Sequence, residues 1–293
     1  MPDILENLLR VIAYTYAAVT GALFVFQRSL QYLPTATQPP DITQLFQLSE
    51  EFSTTTDDGI ELLGWWLPPR RAGRHSDVSI LHLHGNAGNR FHRLSWAILI
   101  HNSFGCGVAL LDYRGYGGNR GTPSEEGLIL DARAGISWLI EAKSGARTKL
   151  VLHLESLGSA AGLNALELSN YREQSAISGI VVEGGLSSCI DVARDKLKIF
   201  PISLLMRDRW DQTCRCASTL DKSIKFLSLH GTNDLIVPLQ FGKKLFDSVS
   251  CSVKEFVTFL GGGHNDLAWQ PQYLNTLDKF YAKLDLVGSV HKY

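Results

Sequence analysis

LVLHLESLGSA, at residues 150–160, is the stretch that decides the fold. Its first four residues form an apolar run typical of a buried strand, and residues 161–166 predict a helix. Ser156 lies on the turn between them and is followed by small residues, as in the nucleophile elbow G-x-S-x-G. Leu154 stands at the first glycine position, so the pattern is incomplete. The stretch predicts a nucleophilic serine, although Ser156 also suits the N-cap of a helix.

Leu154 adds bulk where such an elbow is tight. Overpacking typically costs about 1–3 kcal/mol, and a displacement of about 1 Å among catalytic groups lowers a rate roughly 100-fold. We expect the fold to absorb the leucine by shifting the helix that follows. Crowding of this kind predicts that Leu154→Gly keeps or raises turnover.

Short apolar strands alternate with longer helices from residue 60 onward. The alternation predicts an α/β fold with a mostly parallel central sheet and helices on both faces, preceded by an N-terminal hydrophobic helix. Three parts are predicted: an anchor helix with its flank (1–33), a polar connector (34–55) and one catalytic domain (56–293). The predicted strands are 60–67, 78–84, 107–113, 149–153, 179–182, 224–230 and 255–260, and the predicted helices are 90–102, 125–142, one after the elbow, 239–249 and 271–286.

Three further polar segments follow predicted strands, and ligands of open α/β sheets bind at these carboxyl ends. The first is the loop HGNAGN at 84–89, and we assign the backbone N–H groups of Asn86 and Leu157 as the two donors of an oxyanion hole. The second contains Asp234, which suits the orientation of a histidine. The third, GGGHND at 261–266, carries His264 as a general base.

Each of these segments also has an ordinary structural explanation. Residues 84–89 suit a tight turn, Asp234 suits turn chemistry, and His264 suits a free surface position. Their joint order is Ser, Asp, His, which is the order of the α/β-hydrolase fold. Asp211 is a rival to Asp234, but it lies outside the H-G-T-x-D pattern. We therefore predict Ser156 as nucleophile, His264 as base and Asp234 as the acid that orients it.

Residues 8–26 are almost entirely apolar and carry no charge from residue 11 onward. At about 1.5 Å per residue this stretch spans roughly 28 Å, close to a hydrocarbon core of about 30 Å. We predict a single N-terminal membrane anchor. A cleaved signal peptide, which Asp3 and Glu6 disfavour, and a helix packed on the domain are the alternatives. Arg10 and Arg28 flank the stretch almost evenly, so the side of the membrane is not assigned.

The composition narrows the class of partner. The chain has 293 residues, 45% of them hydrophobic and 19% charged, which suffices for one large core. A net charge of −1 without a basic stripe gives no indication of nucleic-acid binding. The five cysteines form no disulfide framework, and Cys214 and Cys216 lack a second Cys/His pair at zinc-ligand spacing. No metal or cofactor is predicted.

Residues 60–286 resemble the membrane-anchored, abhydrolase-domain group of the α/β-hydrolase superfamily. Beyond the Ser-Asp-His set, three motifs carry the resemblance: FQRSLQYLP at 26–34, DYRGYG at 112–117 continuing to TPSEEGL at 122–128, and RDRWD at 207–211. The resemblance implies an α/β-hydrolase fold, an uncleaved anchor and a serine hydrolase acting on esters or thioesters. Relatives of this group include protein depalmitoylating thioesterases and lipid esterases. We interpret Asp112 and Arg114 as structural residues near the active site.

The resulting prediction is a membrane-anchored serine hydrolase whose ester or thioester substrates are lipids or acylated proteins. The chain between residues 182 and 224 is too short for a large lid domain. Its apolar stretch at 199–206 either lines an acyl-binding groove or packs on the core. Leu154 favours one alternative, a non-catalytic lipid- or partner-binding protein of the same fold. A peptidase is the second alternative, because substrate choice depends on the shape of the pocket.

Overall fold

The computed structural model describes residues 2–145, 147–169 and 171–284. Its strands are β1 (Leu33–Pro34), β2 (Glu50–Thr55), β3 (Glu61–Leu67), β4 (Val78–Leu83), β5 (Ala87–Gly88), β6 (Gly107–Leu111), β7 (Lys149–Glu155), β8 (Ile177–Glu183), β9 (Lys225–Gly231) and β10 (Val253–Phe259).

Eight of these strands form one sheet in the order β2-β3-β6-β4-β7-β8-β9-β10. The strands from β6 to β10 in this order run parallel to one another, while β2 and β3 are antiparallel to their neighbours. Strands β1 and β5 form a separate two-residue parallel pair.

The helices are α1 (Pro2–Gln31), α2 (Ile42–Leu45), α3 (Leu94–Phe104), α4 (Glu125–Lys143), α5 (Leu157–Leu168), α6 (Tyr171–Ala176), α7 (Cys189–Lys196), α8 (Ile202–Leu205), α9 (Thr213–Ser218), α10 (Leu239–Ser248) and α11 (Tyr273–Lys283). Short 3₁₀ turns lie at Arg90–Arg93 and Leu267–Trp269.

The sheet separates two apolar cores. Helices α4, α5 and α10 cover one face, and α3 and α11 cover the other. All six residues of β4 are buried, as expected of a parallel strand that is covered on both faces. The predicted α/β-hydrolase fold, a mostly parallel sheet between two helical layers, is confirmed.

Helix α1 continues well beyond the predicted apolar stretch on both sides. It is the one helix in the described part of the chain that is long and apolar enough to cross a membrane. Most of its side chains are exposed, and only those near its carboxyl end are partly covered by the rest of the chain.

Several predicted boundaries differ from the structure. The helix predicted at 90–102 begins as a 3₁₀ turn and becomes α-helical only at Leu94, because Asn89 caps the turn rather than the helix. Strand β2 lies within the stretch predicted as connector and forms the sheet edge, while the domain limits themselves stay a prediction. The last predicted helix is described to Lys283, and its end at residue 286 lies outside the described residues.

Candidate active site

His264 lies within hydrogen-bonding distance of both Ser156 and Asp234 at the carboxyl edge of the sheet. His264 Nε2 is 2.9 Å from Ser156 Oγ, and His264 Nδ1 is 2.6 Å from Asp234 Oδ2. The three residues follow β7, β10 and β9, so they converge because these parallel strands end at the same edge. A serine hydroxyl bonded to an imidazole that a carboxylate orients can lose its proton as it attacks.

The elbow holds Ser156 in a rare backbone conformation. Its φ is +51° and its ψ is −116°, a left-handed value that residues other than glycine seldom adopt. The Ser156 N–H donates to Glu183 O at 2.8 Å, and Ser159 Oγ donates to Ser156 O at 2.6 Å. At Gly158 a Cβ would lie 2.1 Å from Leu83 O, so glycine lets α5 approach β4 closely. The backbone strain at Ser156 persists only because these surrounding contacts enforce it.

The bulk of Leu154 is accommodated by a glycine on the following helix. Leu154 is fully buried, and a Cβ on Gly162 would lie 2.6 Å from Leu154 Cδ2. The missing side chain therefore leaves the space that the leucine fills. The elbow is packed rather than crowded, which gives no steric reason for Leu154→Gly to raise turnover, and the effect of that variant on turnover stays a prediction.

Leu154→Ala is expected to lower the free energy of unfolding by about 3 kcal/mol, because it leaves a cavity. Gly162→Ala alone is expected to cost about 1–3 kcal/mol, because its methyl group overlaps Leu154. The double variant should cost about 1–2 kcal/mol less than the sum of the two single costs, because the added methyl group at position 162 enters the space that Leu154→Ala leaves. Urea unfolding of wild type, the two single variants and the double variant in detergent measures these free energies. A double-variant cost equal to the sum would contradict the prediction.

Asp234 is held as a carboxylate by its surroundings. Burial alone would raise the pKa of Asp234, but contacts with His230 and His264 outweigh it and hold the pKa well below its usual range. The backbone N–H groups of Ile236 and Val237 donate to Asp234 Oδ1 at 2.9 and 2.8 Å. These bonds leave Oδ2 directed at His264.

The glycine loop (residues 85–88) follows β4 and lies beside the serine. Leu33 N–H donates to Asn86 O at 2.9 Å and Tyr116 Oη donates to the same oxygen at 2.8 Å. The pairing of β1 with β5 thus joins the segment after α1 to this loop. Asn86 and Leu157 both line the cavity that contains Ser156. Their role as oxyanion donors stays a prediction.

Arg93 links the elbow to the glycine loop. Its guanidinium donates to both carboxylate oxygens of Glu155, at 2.9 and 2.6 Å, and to Ala87 O at 2.8 Å. Burial would raise the pKa of Glu155, but the charge and hydrogen bonds of Arg93 outweigh it and lower the pKa to about 2. Sequence reasoning assigned no role to Glu155 or Arg93.

An apolar cavity of about 280 Å³ lies over Ser156. It is walled by α1, α7 and the cap segment, the name used here for residues 197–206, which include α8. The apolar wall residues include Leu23, Leu30, Val192, Ile202 and Leu205. The cavity suits a hydrocarbon chain whose reacting end lies at the serine hydroxyl.

A second cavity, of about 590 Å³, lies beside the catalytic histidine candidate. It is lined by His264 and by polar side chains such as His82, Glu155 and Glu183. Burial lowers the pKa of His82 well below its ordinary value, which favours the neutral imidazole. Ser156 thus lines an apolar cavity, and His264, which contacts it, lines a polar one.

Two of the sequence motifs bind each other. Arg28 of the 26–34 motif donates to both carboxylate oxygens of Asp208 in the 207–211 motif, at 2.9 Å each. Gln31 Nε2 also donates to Asp208 O at 3.0 Å. The pair fixes the carboxyl end of α1 against the chain that precedes β9. Opposite charges in the two motifs were visible in the sequence, but their pairing was not.

The other candidate side chains lie apart from the serine. Asp112 pairs with Arg90, and Arg114 pairs with Asp58 and Asp131, in agreement with their structural interpretation. Asp211, the rival acid, pairs with Arg209 at the surface. Within residues 2–145, 147–169 and 171–284, no group of three or more His, Cys, Asp or Glu side chains is arranged to hold a metal ion.

Comparisons with known proteins agree with this fold. The Mycobacterium tuberculosis protein Rv2307c is 32% identical over 256 residues, covering 87% of this chain and 86% of the relative. The Saccharomyces cerevisiae membrane protein YNL320W is 32% identical over 236 residues, covering 79% and 78%. A Pyrococcus furiosus esterase superposes with a TM-score of 0.64 at 18% identity, covering 86% of this chain and 98% of its own. A scan against protein-family models found no match.

Proposed function

This chain belongs to the family of Rv2307c and YNL320W, within the α/β-hydrolase superfamily, and on that premise we propose that it is a serine hydrolase of carboxylic esters or thioesters. The single observation that carries the proposal is the Ser156–His264–Asp234 contact chain, with 2.9 and 2.6 Å between its members. The strained elbow at Ser156 and the two cavities beside it support the same reading.

The proposed reaction has two halves. Ser156 Oγ attacks the acyl carbonyl while His264 Nε2 takes its proton, and the carbonyl oxygen becomes an oxyanion facing the N–H groups of Asn86 and Leu157. The bond to the leaving alcohol or thiol breaks as His264 returns the proton to it, leaving an acyl-enzyme. Water then attacks the acyl-enzyme with His264 again as base, which releases the acid and restores Ser156. Asp234 orients His264 and stabilises its charged form.

The cavities support a division of the substrate between them. The apolar cavity over Ser156 suits the acyl chain, and the polar cavity beside His264 suits the leaving group that this histidine protonates. We propose lipids or acylated proteins as substrates and α1 as the single N-terminal membrane anchor. The apolar cavity favours an acyl substrate over a peptide, and the room at Gly162 removes the argument that Leu154 prevents catalysis.

A fluorophosphonate probe tests the nucleophile directly. Detergent-solubilised protein is expected to be labelled covalently, and Ser156→Ala is expected to lose the label because the attacking oxygen is gone. Ser169→Ala is the matched control, because it removes another buried serine hydroxyl at the far end of α5. A folded wild-type protein that stays unlabelled, or a label that survives in Ser156→Ala, would refute the proposal.

A further inference from the structure

We propose that the cap segment enters the bilayer together with α1, so that the apolar cavity opens to lipid and takes its acyl chain sideways from the membrane. The immersed surface is formed by residues 197–206 and the face of α1 beside them. The route of the acyl chain rests on the proposed function, whereas the immersion itself is a property of the surface.

The cap segment is bound along α1 within the predicted span. Tyr16 Oη donates to Ile199 O at 2.8 Å, and the Tyr16 ring stacks on Phe200 with 5.5 Å between centroids. Eleven residues further along α1, Gln27 Nε2 donates to Leu205 O at 3.2 Å. At about 1.5 Å per residue, the contact therefore runs for roughly 16 Å along the helix. Because Tyr16 lies in the middle of residues 8–26, a bilayer that receives this stretch must also receive the cap segment.

The outer side of the cap segment is apolar and exposed. Leu204 is 85% exposed and Ile199 is 75% exposed, and Val25 and Phe26 on α1 are exposed as well. A monomeric soluble surface seldom exposes large apolar side chains together, and such patches mark interaction sites. Lys198 interrupts the patch, but its aliphatic stem allows the ammonium group to reach the headgroups.

Many backbone groups of the cap segment form hydrogen bonds within the protein, as a hydrocarbon environment favours. Phe200 N–H donates to Leu197 O, Leu204 N–H donates to Pro201 O, and Met206 N–H donates to Ile202 O. Side chains donate to three further carbonyls of the segment: Tyr16 to Ile199, Gln27 to Leu205, and Arg209 to Ser203. The polar groups of α1 are thus used to cover cap carbonyls that water would otherwise solvate.

The same two elements form part of the wall of the cavity over Ser156. Leu23, Phe24 and Leu30 contribute from α1, and Ile202 and Leu205 contribute from the cap segment. An acyl chain entering between them passes from lipid to the serine without crossing water. Moving its methylene groups from lipid into the apolar cavity therefore gives no hydrophobic free energy. Any rate enhancement must then come from the positioning of the carbonyl at Ser156.

Depth-dependent quenching tests the immersion. The full-length protein is reconstituted into phosphatidylcholine vesicles with an NBD fluorophore on Leu204→Cys or, as matched control, on Ser144→Cys, an exposed residue at the opposite end of the sheet. Labelled wild-type protein gives the background from the native cysteines. We expect blue-shifted emission and quenching by spin-labelled lipid at position 204 and water-like emission at position 144. Equal, water-like emission at both positions overturns the immersion.

A charge at the patch tests the acyl route. Leu204→Asp is expected to lower turnover of a long-chain ester in vesicles about tenfold, because one leucine leaves the lipid, while turnover of a soluble butyrate ester is unchanged. Leu48→Asp, at another highly exposed leucine beside the amino end of β2, should change neither rate. If Leu204→Asp and wild type hydrolyse the long-chain ester at equal rates, the acyl route is wrong. The proposed function still stands in that case, provided that the fluorophosphonate labels Ser156 of the wild type. If the wild type is not labelled although the probe at position 204 is immersed, both the serine hydrolase and the acyl route are wrong.

Discussion

Asp234→Asn is expected to lower kcat for ester hydrolysis about 10⁴-fold while the fold stays intact. The asparagine carbonyl can still accept the N–H groups of Ile236 and Val237, which bond to Asp234 Oδ1 at 2.9 and 2.8 Å. Its amide group then faces His264 Nδ1 in place of Oδ2. An amide donor there forces the proton of the neutral imidazole onto Nε2. Nε2 then has no lone pair with which to accept the proton of Ser156. The carboxylate that orients the ring is lost at the same time.

Steady-state kinetics on a short-chain ester, beside thermal unfolding of both proteins, measure this effect. Because the pKa of Asp234 lies well below its usual range, its carboxylate is ionised at every pH at which such an assay is run. Asp211→Asn is the matched control, because Asp211 pairs with Arg209 at the surface, and its kcat should stay within about twofold of wild type. A kcat for Asp234→Asn within about tenfold of wild type would show that another group orients His264.

The candidate site is the part of this molecule that local sequence predicts best. Ser156, Asp234 and His264 each follow an apolar strand, and parallel strands end at one edge of a sheet. Their convergence therefore needs no knowledge of side-chain packing, only of strand direction. The same reasoning located Asn86 at the carboxyl end of β4, beside the serine.

Packing between distant segments could not be predicted from the sequence. Leu154 departs from the elbow pattern at one position, and Gly162 compensates for it on the next helix. Neither residue indicates the other, because the compensation depends on how α5 lies across β7. Arg28 and Asp208 are a similar case, since 180 residues separate the two partners of that pair.

The cap segment was the least predictable element. Its helix α8 has only four residues, which is too short for a helical period to show in the sequence. The two alternatives for residues 199–206 were lining an acyl-binding groove and packing on the core. Ile202 and Leu205 line the cavity, and Phe200 packs on Tyr16 of α1 rather than on the core of the sheet.

Arg93→Met is expected to lower the free energy of unfolding by about 3–5 kcal/mol and turnover about 100-fold. The first effect follows because the largely buried Glu155 carboxylate loses the guanidinium that donates to both its oxygens. The second follows because Ala87 O loses its bond to Arg93, which frees the glycine loop to move relative to Ser156. Arg133→Met is the control, because its pair with Asp57 is exposed and should contribute less than about 1 kcal/mol.

Adding Glu155→Gln to Arg93→Met separates stability from positioning. The double variant removes the unpaired charge, so most of the lost free energy of unfolding should return, while turnover stays low because Ala87 O still lacks its bond to Arg93.

The pH dependence of the stability conferred by Arg93 has a definite sign. Glu155 has its pKa lowered from 4.5 to about 2 in the folded protein, so its pairing stabilises the fold above about pH 4.5 and ceases to do so as the pH falls toward 2. The stability gap between wild type and Arg93→Met should therefore narrow over that interval. A gap that is constant from pH 5 to pH 2.5, or turnover that recovers together with stability in the double variant, would show that Arg93 acts only through general packing.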